Sequence, residues 1–391
     1  MKILALSTIR SDYDLMSGLY KALNDDPDIE LKLLIAGAHL TATYGMTLSQ
    51  VEEDGFDILL KSETLLDSDS PAGRLKSASI MLFGFIDTVA AYKPDLILYA
   101  GDREDVIIGA LMGGYLSIPT MHFFSGDHAA DGHVDNPIRH ATTKLSTYHC
   151  ASVEEHAERL RAIGEPDERI SVVGSIALDK FFSHESMSQE KIFSELNLPY
   201  LGKKTCLIIF HPIGDEKKIA VEILNCIIQA LIDFGFFVFV GAPNSDPDNR
   251  QLFNLQADYN QNKDVFFYKS LPLNLFLSIF KQSSLIAGNS SAGILEAASI
   301  PIPAINVGAR QIGRLAGDNV IFCGTDKEAI IAAIEKACSP IFLSSIKNIK
   351  NLYGDGDSIK KAVKIIKETN FSKILHKKED PILVKWRHLN D

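Results

Sequence analysis

The chain has 391 residues, 46% hydrophobic and 23% charged, a balance typical of a soluble globular protein that is too long for a single core. Its net charge of −11, with no run of 18 apolar residues, argues against nucleic-acid or membrane partners, so an anionic ligand would need a local basic pocket. Five cysteines without CxxC spacing argue against a disulfide framework or a zinc site, and they favour a cytoplasmic protein.

Short apolar runs alternate with longer amphipathic stretches, a pattern typical of repeated βα units on parallel sheets. The predicted strands are 3–6, 31–36, 96–100, 120–124, 170–173, 206–210, 236–240, 265–268, 285–287, 304–307 and 320–322. The predicted helices are 16–23, 78–92, 106–115, 138–145, 154–162, 220–234, 273–281, 327–337 and 359–367. A polar segment at 181–204 separates two series. We therefore predict an α/β protein with domains 1–180 and 181–391, the C-terminal helix packing back toward the N-terminal domain.

Polar residues gather directly after the predicted strands in both halves of the chain. In parallel α/β sheets, ligands bind beyond the carboxyl ends of the strands. Two such sheets facing each other would bring both sets of loops to one cleft. The sequence thus predicts two Rossmann-like domains facing a central cleft, which is the glycosyltransferase-B-type fold.

The segment 284–314 carries the clearest ligand signal. A predicted strand stops at Gly288, and a helical run follows the small residues Ser290 and Ser291. Such a turn leaves backbone N–H groups at a helix N-terminus, where the helix dipole also favours an anion. Two arginines follow in the next loop, Arg310 and Arg314. We predict a phosphate or diphosphate site here, with His211 as a further donor; the alternative is an ordinary Gly/Ser turn with solvated arginines. No lysine follows the glycines, so this is not a P-loop.

Three carboxylates of the first half are expected to lie close together. Asp102 follows strand 96–100, Asp127 follows strand 120–124, and Asp135 precedes helix 138–145. Clustered carboxylates can be driven to different pKa values, which gives one acid and one base.

The residues after Asp135 predict the start of a helix. Asn136 can cap a helix that begins at Pro137, and Arg139 and His140 then lie in its first turn. The alternative is a plain helix start with a solvated arginine. Five histidines crowd this region, at 122, 128, 133, 140 and 149, but their spacings do not suit one helix face, so we expect no metal.

These motifs together resemble the hydrolysing UDP-N-acetylglucosamine 2-epimerases of sialic acid biosynthesis and, more distantly, the non-hydrolysing bacterial 2-epimerases. The resemblance covers nearly the whole chain, from residue 3 to about residue 337. It rests on Arg10-Ser11-Asp12-Tyr13, His39-Leu40, Tyr44-Gly45, Gly101-Asp102-Arg103, Ile138-Arg139-His140-Ala141, Lys144-Leu145, Tyr148-His149, His211-Pro212, Gly288-Asn289-Ser290-Ser291 and Arg310-Gln311-Ile312-Gly313-Arg314. It implies a two-domain glycosyltransferase-B fold in a homodimer or homotetramer, with no metal and no nicotinamide or other cofactor.

The resemblance also implies roles for individual residues. The UDP-binding residues would be Arg10, His211, Gly288, Ser290, Ser291, Glu296 and Arg314, with Glu296 taking the ribose hydroxyls. The catalytic residues would be Asp102, Asp127, Asp135 and Arg139. The residues on the sugar side would be His39, Arg103, Asn136 and His140.

The expected reaction converts UDP-N-acetylglucosamine and water to N-acetylmannosamine and UDP, for sialic acid or a related nonulosonic acid. Ser125-Gly126-Asp127 stands where the family usually has Gly-Gly-Glu, and Asn136-Pro137 replaces an acidic-Ser pair. These altered sugar-side loops would permit the same reaction on UDP-2,4-diacetamido-2,4,6-trideoxyglucose, for legionaminic acid. A retaining glycosyltransferase or a non-catalytic UDP-sugar-binding protein of the same fold are the remaining alternatives.

Overall fold

The structure is a computed structural model that describes residues 1–68, 70–128, 134–211, 214–241, 250–269 and 271–378. The chain forms two compact units. The described residues of the first unit are 1–68, 70–128, 134–179 and 353–378, and those of the second lie within 180–352. The chain thus leaves the first unit after Asp179 and returns to it at Tyr353. The second unit ends at Leu352, whereas the sequence prediction extended it to residue 391.

The strands and helices alternate along the chain. The strands are β1 Lys2–Ser7, β2 Glu30–Ala36, β3 Ile58–Ser62, β4 Leu96–Ala100, β5 Thr120–Phe123, β6 Tyr148–Ala151, β7 Ile170–Val172, β8 Thr205–Ile209, β9 Phe237–Gly241, β10 Val265–Tyr268, β11 Leu285–Gly288, β12 Ala304–Val307 and β13 Val320–Cys323. The helices are α1 Arg10–Asn24, α2 Leu48–Glu53, α3 Pro71–Tyr92, α4 Glu104–Leu116, α5 Asp135–Leu145, α6 Glu154–Ala162, α7 Ile176–Ser183, α8 Gln189–Glu195, α9 Ala220–Asp233, α10 Arg250–Asp258, α11 Leu273–Gln282, α12 Ser291–Leu295, α13 Lys327–Cys338, α14 Pro340–Ile346 and α15 Ser358–Glu368. Short 3₁₀ helices span Gly37–Leu40, Ala42–Tyr44, Asp167–Arg169, Gly214–Ile219, Ala297–Ser299 and Phe371–Ile374.

Each unit is built on one parallel sheet. The first sheet has the order β3-β2-β1-β4-β5-β6-β7 and the second the order β10-β9-β8-β11-β12-β13. Every neighbouring pair in both sheets is parallel. The order 3-2-1-4-5-6 is that of a Rossmann-like sheet, so the prediction of two Rossmann-like domains is confirmed.

Two strands of the first sheet were missed by the sequence prediction. β3 is an edge strand with four half-buried residues and one exposed residue, so it lacks the continuous apolar run of a central strand. β6 contains His149 and Cys150 within four buried residues, and the polar histidine interrupts the apolar pattern. Both strands depend on tertiary pairing rather than on local composition.

The last described segment completes the core of the first unit. Ala362 and Ile366 of α15 and the following Phe371 belong to the same buried cluster as Met16 and Leu19 of α1. The Asp179 carboxylate accepts hydrogen bonds from the backbone N–H groups at the start of α15, at 2.7 and 3.1 Å. The first unit is therefore assembled from two parts of the chain that are distant in sequence.

Helix α3 is unusually apolar for a helix of its exposure. By length and composition alone it could cross a bilayer, as could α13 and α14 taken as one bent span. Met81, Phe85 and Val89 of α3 pack into a buried cluster with β4, whereas Leu75 and Phe83 are exposed. One face of α3 thus belongs to the core of the first unit.

Candidate functional site

Each sheet has a point at which the strand order reverses, between β1 and β4 in the first unit and between β8 and β11 in the second. Ligands of open α/β sheets bind beyond the carboxyl ends of the strands at such a point. Arg10 begins α1 just after β1, and Asp102 follows β4. In the second unit, His211 follows β8 and Ser290 follows β11. These four predicted residues therefore stand at the reversal points of the two sheets.

Arg139 is the centre of the cluster in the first unit. It lies on α5, is 3% exposed, and forms an ion pair with Asp102. Its Nη1 atom lies 3.2 Å from Asp127 Oδ2 and donates to the Phe124 carbonyl at 2.9 Å. Burial works to lower the pKa of the Arg139 guanidinium, but the charges of Asp102 and Asp127 outweigh it and raise that pKa. One buried cation thus holds two of the predicted catalytic carboxylates.

Asp135 joins the same cluster from the first turn of α5. Its charge also raises the pKa of Arg139. Arg74 on α3 reaches Asp135 at 3.4 Å and Glu104 at 2.7 Å. The three carboxylates predicted to gather therefore do so, at the ends of β4 and β5 and at the start of α5.

Asn136 does not cap α5. The helix begins at Asp135, its N-cap residue is Val134, and Asn136 lies within the first turn. An aspartate in the first turn is favoured by the helix dipole, which accounts for the earlier start. Asn136 is half-buried, next to Asp135.

The two predicted sugar-side histidines have different surroundings. His39 is fully buried, and its ring nitrogens contact Ser7 Oγ at 3.0 Å and Thr47 Oγ1 at 2.7 Å. These contacts give His39 a structural role, and its assignment to the sugar side stays a prediction. His140 is half-buried, and its ring stacks on that of His128 with 3.3 Å between His128 Nδ1 and His140 Nε2.

Two residues of α6 that sequence reasoning missed contact the Asp127 loop. His156 Nε2 lies 3.3 Å from Asp127 Oδ1, and Arg159 donates a hydrogen bond to the Gly126 carbonyl. Nothing in the local pattern of α6 signals these contacts, because they arise only when β6 places α6 beside the loop after β5. Arg103, also predicted on the sugar side, is the half-buried N-cap residue of α4.

In the second unit, Asn289 ties together the loops that carry the predicted UDP-binding residues. Its side chain accepts from the His211 N–H and donates to the His211 carbonyl, both at 2.7 Å. Its own carbonyl accepts from Arg310 at 3.2 Å and from Gln311 at 2.9 Å. Arg314 follows in the same loop and is half-buried. Asn289 and Gln311 are the residues missed here, although Asn289 lies inside the predicted Gly/Ser turn.

The turn after β11 starts a very short helix. Ser290 is the N-cap of α12 and its hydroxyl accepts from the Ala292 N–H at 3.3 Å. Ser291 is the first helical residue, and Glu296 lies at the helix end with 9% exposure. Gly288 has φ +124°, and a Cβ there would lie 2.2 Å from the Ile209 carbonyl oxygen. Gly288 therefore lets β11 approach β8, and its place in the UDP site stays a prediction.

Metal ligands were not expected from the sequence. Among the residues that the structure describes, no group of three or more His, Cys, Asp or Glu side chains is arranged to hold a metal ion. His122 instead contacts the Gly101 carbonyl at 2.8 Å, and His149 contacts Glu165 at 3.0 Å. His133 lies outside the described residues.

The chain matches known proteins over most of its length. The family model described as UDP-N-acetylglucosamine 2-epimerase matches residues 21–367. A relative from Legionella pneumophila, UDP-N,N'-diacetylbacillosamine 2-epimerase (hydrolyzing), is 32% identical over 377 residues, which cover 96% of this chain and 98% of the relative. A relative from Campylobacter jejuni, GDP/UDP-N,N'-diacetylbacillosamine 2-epimerase (hydrolyzing), is 29% identical over 381 residues, or 96% of this chain and 98% of the relative.

The fold also matches solved structures. A UDP-GlcNAc 2-epimerase from Neisseria meningitidis, solved bound to UDP-GlcNAc, has a TM-score of 0.82 at 18% identity. The match covers 94% of this chain and 100% of that one. At this identity the likeness establishes the fold.

Proposed function

Because the chain belongs to the UDP-N-acetylglucosamine 2-epimerase family, we propose that it is a hydrolysing 2-epimerase of a UDP-linked 2-acetamido sugar. The reaction would convert UDP-N-acetylglucosamine and water to N-acetylmannosamine and UDP, for sialic acid or a related nonulosonic acid. The observation that carries this proposal is the gathering of Asp102, Asp127 and Asp135 around the buried Arg139. Such a cluster can exchange protons with a sugar carbon.

The proposed chemistry has two stages. A carboxylate takes the proton from C2 while the C1–O bond to UDP breaks, which leaves a double bond between C1 and C2. Water then adds its oxygen to C1, and a proton returns to C2 on the opposite face. Positioned general acids and bases contribute on the order of 10²–10⁴-fold to such steps.

The three carboxylates differ in their surroundings, which supports different roles. Asp127 is 8% exposed and lies between Arg139 and His156. Asp135 is more exposed and pairs with Arg74. Two carboxylates in unlike environments can divide the roles of acid and base between them. We assign the proton transfers to Asp127 and Asp135, and sugar orientation or hydration to Asp102.

UDP is assigned to donors that follow β8, β11 and β12 in the second unit. These are His211, Ser290, Ser291 and Arg314, with Glu296 taking the ribose hydroxyls. The Asn289 contacts support this assignment, because they fix the backbone of His211 beside the turn that Ser290 caps. Preorganised cations and N–H groups stabilise the negative charge that develops on a leaving diphosphate.

A second candidate substrate is UDP-2,4-diacetamido-2,4,6-trideoxyglucose, which is UDP-N,N'-diacetylbacillosamine. The 32% identical relative is named for this sugar, and so is the relative from Campylobacter jejuni. The stacked His128 and His140 lie beside Asp127, where this chain departs from the usual Gly-Gly-Glu sequence. Both UDP-sugars therefore belong in the same assay.

The test follows the atoms through the reaction with each UDP-sugar. In D2O, the product should carry about one deuterium at C2, as proton exchange at that carbon requires. In ¹⁸O-water, the label should appear in the C1 hydroxyl of the sugar and not in UDP, because the C1–O bond breaks. A glycosyltransferase or a plain hydrolase would keep the original hydrogen at C2, and a binding protein would release no sugar. Product without deuterium at C2 would overturn the proposal.

We also propose that the reaction needs no metal or other cofactor, because arginines and N–H donors are available for the diphosphate. Turnover should survive exhaustive treatment with EDTA. Loss of turnover that a divalent ion restores would contradict this part of the proposal.

A further inference from the structure

His156 is a buried polar residue to which the proposed chemistry gives no role. It lies in the first turn of α6, is 3% exposed, and reaches Asp127 Oδ1 with its Nε2 atom at 3.3 Å. Its other ring nitrogen, Nδ1, has no hydrogen-bond partner among the described residues. A buried polar atom without a partner costs free energy, and an apolar side chain of similar size would avoid that cost. Besides a tilted ring contact with Tyr353, what the imidazole adds at this position is its contact with Asp127.

Burial determines the protonation of the His156 ring. Burial lowers the pKa of His156 to about 4, although the charge of Asp127 works in the opposite direction. The ring is therefore neutral near pH 7 and carries one proton. Because Nε2 faces a carboxylate oxygen, that proton lies on Nε2, and Nδ1 keeps its lone pair. His156 thus presents an N–H group to Asp127, with 3.3 Å between Nε2 and Oδ1, without adding a positive charge.

Helix α6 also holds the backbone of the Asp127 loop. Gly126 has φ +77°, and a Cβ there would lie 2.3 Å from the His156 carbonyl oxygen, so the loop touches the first turn of the helix. Arg159, one turn later, donates to the Gly126 carbonyl and pairs with Glu155 at 2.8 Å. The His156 ring therefore projects from a part of α6 that is fixed against the loop.

The Asp127 carboxylate is held from several elements at once. Arg139 and His140 on α5, His156 on α6 and His128 in its own loop act on this carboxylate, and Arg159 and Glu155 on α6 act on His156. The guanidinium engages Oδ2, whereas the imidazole and the His128 backbone N–H, at 2.8 Å, engage Oδ1. The two oxygens thus have different partners, and this fixes the plane of the carboxylate.

We propose that His156 is a positioning residue for Asp127, whose neutral N–H holds the carboxylate in the orientation that exchanges a proton with the sugar. The inference rests on the proposed function, in which Asp127 transfers a proton. A neutral donor suits this task, because it can stay bonded to the carbonyl oxygen after Asp127 takes up a proton. A second cation in its place would oppose that protonation.

The kinetic test compares His156→Leu, which removes the donor, with His156→Gln, which keeps an N–H donor. His156→Leu should lower kcat by roughly 10–100-fold, which corresponds to one hydrogen bond to a charged group, and leave KM within about threefold. His156→Gln should recover most of the lost rate. The acid limb of the kcat/KM profile should move to higher pH in the Leu variant only, because the ionised carboxylate has lost a donor. If His156 had a purely structural role, kcat would fall equally in both variants, and the acid limb of the kcat/KM profile would stay at the same pH.

A second measurement does not depend on turnover. In protein labelled with [¹³Cγ]aspartate, the Asp127 carboxyl signal, identified with Asp127→Asn, should titrate at a higher midpoint in His156→Leu than in the wild type or His156→Gln. An unmoved midpoint, or wild-type kcat in a folded Leu variant, would overturn the inference. His156→Met takes the place of the Leu variant if that one does not fold. Wild-type product without deuterium at C2 would instead reject the proposed reaction, so the two failures are distinguishable.

Discussion

At the scale of single residues, the most exacting position is Arg139. Its guanidinium is buried, and Asp102 and Asp127 supply the opposite charge. Removing one member of a buried ion pair leaves an uncompensated charge, which costs far more than losing an exposed pair. Arg139 therefore ties the stability of the first unit to the arrangement of its carboxylates.

Replacing this cation should destabilise the first unit. Arg139→Met keeps most of the side-chain volume but removes the cation that Asp102 and Asp127 share, and it should cost about 3–5 kcal/mol of unfolding free energy. Arg161→Met, which breaks exposed pairs with Glu154 and Asp167, should cost less than about 1 kcal/mol. Urea unfolding followed by circular dichroism measures both. Equal losses of unfolding free energy in the two variants would show that burying an ion pair does not raise the cost of breaking it.

The nucleotide end permits a second test on one residue. If Arg314 contacts the diphosphate, Arg314→Ala should weaken UDP binding by about 1.5–3 kcal/mol, the contribution of a charged hydrogen bond. Lys347→Ala, at an exposed position of the same unit, should leave the affinity unchanged. Titration calorimetry with UDP compares the two variants. An unchanged affinity in Arg314→Ala would remove that arginine from the UDP site.

At the scale of elements, the turn after β11 depends on two neighbouring residues with different tasks. Gly288 lets the backbone pass within contact distance of Ile209 on β8, in a conformation with φ +124°. Asn289 then joins the turn to residue 211 through paired hydrogen bonds. The carboxyl ends of β8 and β11 are thus held together at the point where the strand order reverses.

This close approach should make Gly288 intolerant of any side chain. Gly288→Ala adds a Cβ 2.2 Å from the Ile209 oxygen and should cost more than about 2 kcal/mol of stability. Gly235→Ala is the matched control, because Gly235 has φ +83° with no atom near its added Cβ. That control should show only the conformational strain, about 1–2 kcal/mol. Thermal unfolding measures the stability lost in each variant. Equal losses in Gly288→Ala and Gly235→Ala would contradict the role given to Gly288.

Local patterns predicted the elements that are buried on both faces and missed those that depend on their neighbours. Central strands such as β4 and β8 are continuous apolar runs, and the sequence showed them directly. β3 and β6 are half-exposed or interrupted by histidine, and their pairing is decided by the rest of the sheet. In the candidate site, polar residues after strands were predictable because chain order places them there. His156 was not predictable, because it reaches Asp127 from another βα unit.

At the scale of the whole molecule, the first unit holds several buried neutral histidines. Four histidines of its described residues are buried, at positions 39, 122, 149 and 156. Burial lowers the pKa of His122 to about 3, below its value in an unfolded chain. Asp105 acts in the opposite sense, since burial raises its pKa to about 7 and the folded state binds the proton more readily. The change in folding stability at acid pH is therefore the sum of the loss from the buried histidines and the gain from Asp105.

One histidine can be separated from that balance. A histidine with a lowered folded pKa gives stability that is present above about pH 6.5 and is lost as the pH falls toward the folded value, because the unfolded chain takes up the proton first. Between pH 7 and pH 5, the wild type should lose about 2 kcal/mol more than His122→Gln, which cannot titrate but can still donate to Gly101. Urea unfolding at pH 7, 6 and 5 measures the difference. Parallel curves for the two proteins would contradict the prediction.

The return of the chain to the first unit at Tyr353 has a consequence for the order of events on the ribosome. When residues 1–179 have emerged, the cluster that includes Met16 and Leu19 still lacks Ala362, Ile366 and Phe371. The second unit, within residues 180–352, is complete earlier, and domains generally fold as units during synthesis. Until residue 371 has been translated, the apolar face of α1 that includes Met16 and Leu19 is not covered by α15 and Phe371, so it is exposed to other nascent chains. The half of the protein that is made first is the half that is finished last.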